Sequence, residues 1–310
     1  MTVHLISVGL SASEFLDTPD GVEDPFGLAD TAAAVRVSAP AVWRGTDPDA
    51  LSAWLEPRLG QQRTEDPWFS DSIHRLRPAT WPPRFSAEVD SLSRSGTGVV
   101  PRDDLVVLLA TDTVPGLVAA VWNALRLAAG DPGRVRYRPS PGHAPLGDAR
   151  GCAVITRVGG LDAGDERGFT EAMGGLGELG RLLRDATPRD EPYALHLSGG
   201  FKAAIPYLVG LAEAFRSVDP GRDVRAYVLH DTAAPSAPPI PLPLRRLHAE
   251  TVRAELIPLA ASGRYDMRTP PGGGVLDGYA YEWDGAGYRR TAFGEGLHRL
   301  FGFGPESFTP

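Results

Sequence analysis

One residue stands out for the chemistry it could do. Of the 31 lysine and arginine residues in this chain, only Lys202 is a lysine. Lysine is a compact, rotatable point charge, whereas arginine is a broad planar fork. A chain that uses arginine elsewhere and keeps one ammonium points to a task that a guanidinium does badly. Lys202 closes the segment Leu197-Ser198-Gly199-Gly200-Phe201-Lys202. A Ser-Gly-Gly turn between an apolar strand and a helix aims backbone N–H groups outward, where they attract anions. These residues therefore point to phosphate handling. The pattern is neither G-x-x-x-x-G-K-[ST] nor G-x-G-x-x-G, so neither standard nucleotide loop is present. A glycine turn also needs no ligand to exist.

Two further turns carry hydroxyls. Leu10-Ser11-Ala12-Ser13 follows the first strand, and either closes a turn or holds a phosphate and positions a 2′-hydroxyl. Thr111-Asp112-Thr113 follows a central strand, and either caps the next helix or contacts a ribose or base. Those two roles are compatible. Arg138 and His143 match R-x-x-x-x-H, but the intervening prolines and glycine exclude the helix that such a ribonuclease pair needs. Arg290 and His298 are too far apart for the same pattern. The histidines show no metal spacing, and His230-Asp231 reads as a strand end.

These turns need elements to position them. Residues 3–9, 105–110, 135–138, 152–157, 193–197 and 224–230 read as strands. Residues 47–59, 84–95, 115–129, 165–185 and 200–216 read as helices, with Asp47 as a cap and Pro48 in the first turn of the first of them. The alternation predicts a doubly wound α/β domain over 1–234, whose ligands bind beyond the carboxyl ends of the strands. All three turns lie there. Residues 17–104 read as a largely polar insertion, irregular over 17–45, with a lid over the pocket as one use for it. Residues 235–310 read as a small extension: a proline-rich connector at 235–243, an amphipathic helix at 244–261, a hairpin turning at Asp284-Gly285, and a short helix at 294–300.

With 310 residues, the chain is long enough for a large core. A net charge of −8 disfavours a general nucleic-acid coat, although Arg245, Arg246 and Arg253 leave room for DNA binding. A lone cysteine, Cys152, excludes a disulfide framework and a cysteine zinc site. The first residues run straight into a strand, and no apolar run approaches the ~20 residues of a membrane helix. A soluble, cytoplasmic protein without cofactor or metal is expected.

Ser7-Val8-Gly9-Leu10-Ser11, Leu108-Leu109-Ala110-Thr111-Asp112-Thr113 and Leu195-His196-Leu197-Ser198-Gly199-Gly200-Phe201-Lys202 together resemble the CARF domains of CRISPR-associated proteins. Relatives commonly have Asn and Thr where this chain has His196 and Ser198. Tyr288–Glu295 is similar to the family's closing segment. The resemblance implies a Rossmann-like homodimer with a two-fold pocket for a cyclic oligoadenylate made by type III CRISPR complexes. It carries ligand contact onto residues 10–13, 111–113 and 198–202. A ring nuclease is expected, acting on cyclic tetra-adenylate in the first instance. In it Lys202 would stabilise phosphate charge and Ser11 would orient the reacting groups for metal-free attack by a 2′-hydroxyl. The alternatives are a non-catalytic sensor, or a ligand-activated nuclease whose effector is the C-terminal region.

Overall fold

A computed structural model describes residues 1–12, 29–60, 66–96, 98–143, 146, 148–161, 164–200, 202–229 and 236–303. Its centre is a seven-stranded sheet. The strands are β1 (Val3–Ser7), β2 (Leu105–Thr111), β3 (Val135–Arg138), β4 (Ala153–Val158), β5 (Tyr193–His196), β6 (Val224–Val228) and β7 (Ile240–Leu242). The spatial order is β3-β4-β2-β1-β5-β6-β7, parallel except for β7, which runs antiparallel to β6. β1 and β2 are buried along their whole length. Their continuous apolar runs are what a parallel sheet covered on both faces requires.

Side chains alternate across the sheet with period two. Val3, Leu5, Val107, Val154 and Leu195 enter one core; Ile6, Val106, Leu108 and Ile155 enter the other. The second core is covered by α1 (Ala29–Ser38), α2 (Pro48–Leu59), α3 (Ala87–Arg94) and α4 (Val114–Leu127). The described part of the 17–104 segment is therefore not a polar lid. Leu51, Leu55, Phe69, Trp81, Val89 and Leu92 join α4 in burying one face of the sheet, and Trp43, Trp54 and Trp68 interlock edge-to-face above Trp122. The cap at Asp47 forms as expected, its Oδ1 accepting from Asp49 and Ala50 N–H.

The first core lies under α5 (Glu166–Ala186), α6 (Ile205–Val218), α7 (Ala249–Leu256) and α8 (Ala292–Phe301). A small antiparallel sheet, β8 (Arg264–Tyr265), β9 (Tyr281–Trp283) and β10 (Tyr288–Arg290), adds to it in the order β8-β10-β9. The residues after 235 thus share a core with β1 and β5. The Asp284-Gly285 hairpin is present. Asp284 Oδ1 accepts from Ala286 and Gly287 N–H, and those bonds, with Arg264, pull its carboxyl down to about 2.

Three expectations change. The helix expected from Gly200 begins at Ile205, because Gly200 takes a left-handed φ of +95° and a 3-10 turn, Lys202–Ala204, intervenes. The proline-rich connector contains β7, an edge strand, where Pro241 is tolerated because its missing N–H can face away from the ladder. The helix expected over 244–261 shortens to α7. Before it, the backbone is bonded to α6 instead: Leu247 N–H donates to Ser217 Oγ, Arg245 N–H to Glu213 Oε1, and Leu244 O accepts from Arg216.

Candidate functional site

The connection after β1 leads to the α1–α4 face, and the helix after β5 packs on the other face. At such a switch point a crevice opens beyond the carboxyl ends. The turns after β1 and β5 meet there at backbone contact. A Cβ added to Gly9 would stand 2.7 Å from Gly200 N, and one on Gly199 would stand 1.9 Å from Glu88 Oε1. Ser7 Oγ donates to Gly199 O at 2.6 Å. The glycines therefore do two jobs: Gly200 supplies a positive φ, and Gly9 and Gly199 permit the approach.

Glu88, on α3, holds the β1 turn from below. It is fully buried; its Oε1 accepts Gly9 N–H at 2.6 Å, and its Oε2 accepts the Ser11 hydroxyl at 3.0 Å. Ser11 keeps its lone pairs for accepting, and Ala87 N–H already leans on them at 3.4 Å. The sequence reading missed Glu88. Its signal was a carboxylate on the same helix face as Val89 and Leu92, in a segment taken for an insertion. A charge buried in that way must be hydrogen-bonded, and here it is.

A buried polar chain runs beside it. His4 Nδ1 lies 3.2 Å from His196 Nε2, and Ser91 Oγ, on α3, lies 3.1 Å from His196 Nδ1. His4 Nε2 faces Asp104 Oδ2 at 3.5 Å. Burial, and then the charge of His4, push the His196 imidazole down to about 3, so it is neutral at ordinary pH. Burial opposes the ionisation of Asp104, but the His4 contact and the Thr2 N–H bond outweigh it and hold this carboxyl below its usual range.

The expected contacts divide. Lys202 is exposed on the 3-10 turn ahead of α6, and no ion pair to it forms among the described residues. The 3-10 turn runs directly into α6 at Ile205; Ala204, at the cap position, offers no side-chain acceptor, and Pro206 in the first turn has no N–H. Ser198 Oγ accepts Leu229 N–H at 2.8 Å and ties the turn to the end of β6. Leu10 is 44% exposed at the rim. Ala12 does not fit a contact role through its side chain, which is buried in the second core. Thr113 caps α4 by accepting Gly116 N–H at 3.1 Å, and Thr111 Oγ1 sits 3.2 Å from Thr113 Oγ1. Asp112 accepts from Arg157 Nε at 2.6 Å, so its charge is paired. Ser13, Phe201, His230 and Asp231 lie outside the described residues.

Among the described residues no group of three His, Cys, Asp or Glu side chains is placed to hold a metal ion. No helix among them is long and apolar enough to cross a membrane. Among the described residues, the edge of the sheet at β1 and β5 thus offers an ammonium outside any ion pair, two glycine turns and an acceptor oxygen on Ser11. Such a set can hold an anion at Lys202 and a donor at Ser11. No protein-family model matches this chain, and no curated protein matches it.

Proposed function

We propose that this chain is a CARF-type protein that binds a cyclic oligoadenylate, cyclic tetra-adenylate first, and opens the ring. The observation that carries the reading is the placement of the single lysine. Lys202 stands exposed on the 3-10 turn ahead of α6, behind Gly199 and Gly200, at the switch point of the sheet. A two-fold axis through this edge would double the site and match a symmetric ligand.

In the proposed reaction a ribose 2′-oxygen attacks the adjacent phosphorus and a P–O5′ bond breaks. A 2′,3′-cyclic phosphate end forms, the 2′-hydroxyl gives up its proton, and the departing 5′-oxygen gains one. The Ser11 hydroxyl donates to Glu88 and accepts from Ala87 N–H, and its remaining lone pair would accept from the 2′-hydroxyl and hold it in line. Lys202 neutralises charge that develops on the phosphoryl oxygens.

Incubation with cyclic tri-, tetra- and hexa-adenylate in EDTA tests this. Linear products with cyclic phosphate ends from one ring size are expected, and Lys202→Ala should slow their formation on the order of 10²–10³-fold. Equal rates for the variant and the wild type would sink the reading. A non-catalytic sensor is the second reading. It is favoured by the pairing of Glu88 and Asp112 within the fold, which takes these two carboxylates of the described residues out of use as an exposed general base. Tight, intact ligand in the same incubation would select it. Of the three arginines that leave room for DNA binding, Arg245 is held by buried Glu213, while Arg246 donates to Pro220 O and Arg253 forms only an exposed pair with Glu250.

A further inference from the structure

At the opposite, amino end of β6 lies an open groove of about 480 Å³. It runs between the end of α6, the start of β6 and the end of β7. Four arginines line it, Arg216, Arg222, Arg225 and Arg246, against one acid, Asp223. In a chain of net charge −8 this is a local reversal of sign. We propose that this groove binds a phosphorylated small molecule of nucleotide size, independently of the site at the other end of the sheet.

The way the arginines are held supports this. Arg216 Nη1 donates to Leu244 O at 2.7 Å, and Arg246 Nη2 donates to Pro220 O at 2.8 Å. Backbone carbonyls orient these forks without neutralising them. Arg225 pairs with Asp223 at 2.8 Å, but both side chains are half or more exposed, and a surface pair of that kind is weak and exchangeable. Arg222 is the buried member. Its Nε meets Asp219 at 3.2 Å, its Nη1 donates to Glu191 O at 2.9 Å, and its guanidinium lies 4.2 Å over the Tyr193 ring. Its Nη2 is buried with no protein partner. With no exposed surface on its side chain, Arg222 backs the groove, and the forks that reach the open space are those of Arg216, Arg225 and Arg246.

The ligand class follows from the shape and charge. Several guanidinium forks around one space suit a tetrahedral oxyanion that accepts from many sides, whereas a carboxylate satisfies one fork. Pro241, Leu242, Pro243 and Leu244 form an apolar wall against which a flat or ring-shaped moiety can lie. The volume falls within the few hundred Å³ typical of small-ligand sites.

Calorimetric titration of the full chain with pyrophosphate and with ATP, without metal, tests the proposal. Saturable binding is expected. Arg225→Ala/Arg246→Ala should weaken it about tenfold or more, and Lys202→Ala should leave it unchanged. Pro243→Glu, which sets a carboxylate at the rim, should weaken it too and serves if the double variant folds poorly. Failure of both ligands to bind the wild type would overturn the proposal. So would binding that falls with Lys202→Ala and not with the arginine variants, since it would place the ligand at the other end of the sheet.

Discussion

Glu88 and His196 show what a residue contributes when its partners lie far away in sequence. Glu88 bonds to Gly9 and Ser11, 79 and 77 positions away. Glu88→Gln keeps the volume but replaces one acceptor by a donor facing Gly9 N–H or Ser11. It should destabilise the fold by about 1–3 kcal/mol, measured by urea unfolding. If the ring is cleaved, turnover should fall while the thermal shift caused by ligand persists, because Lys202 is untouched. A variant as stable and active as wild type would remove Glu88 from the site. His196 makes the fold sensitive to acid. The unfolded imidazole takes a proton near 6.5 and the folded one only near 3. Its contribution is therefore complete above pH 6.5 and declines as the pH falls toward 3, at about 1.4 kcal/mol per pH unit. Burial pushes His298 the same way, down to about 4. Unfolding free energies at pH 7, 5.5 and 4.5 should fall more steeply for wild type than for His196→Asn; parallel slopes would exclude His196 as the source. Lys202, Gly199 and Gly200 were legible in the sequence because a strand–turn–helix junction is local. Glu88, Ser91, His4 and Asp104 were not, because only the sheet brings them to one another.

Helices α5 and α8 meet along a row of glycines on α5, Gly174, Gly177 and Gly180. A Cβ on Gly177 would meet Gly296 O at 2.1 Å, and one on Gly180 would meet Leu300 Cδ1 at 2.8 Å. The two helices touch at backbone distance. Gly177→Ala, which favours an isolated helix by about 1 kcal/mol, should here lower the melting temperature, since the obstacle is a carbonyl and not a flexible side chain. A higher melting temperature would mean that the seam opens freely. Helix α5 itself was readable from its ends, with Asp165 at the cap and Arg184 in the last turn. The late start of α6 was not, because a 3-10 turn and a helix start share one composition. Strand β7 was missed because three residues with a central proline resemble a linker, and only the pairing with β6 defines them.

For the molecule as a whole, the alternation of strands and helices gave the doubly wound sheet, and the boundary drawn at 234 came from a change of composition. Composition does not report packing: Val252, Leu256, Leu297 and Leu300 lie in the same core as Val3, Leu5 and Leu195. A chain cut after residue 291 should therefore lose cooperative unfolding and not merely a peripheral function, as circular dichroism melting would show. A stable, cooperative truncated protein would contradict that. The shared core also has a consequence in time. On the ribosome α8, which helps to close the core of β1, is made some three hundred residues after it. At about 5–20 residues per second, the exposed face of the sheet waits on the order of tens of seconds for its last helix. During that interval the nascent chain is a natural client for chaperones, and synthesis slowed or stalled ahead of Ala292 should yield aggregates in place of a smaller folded domain.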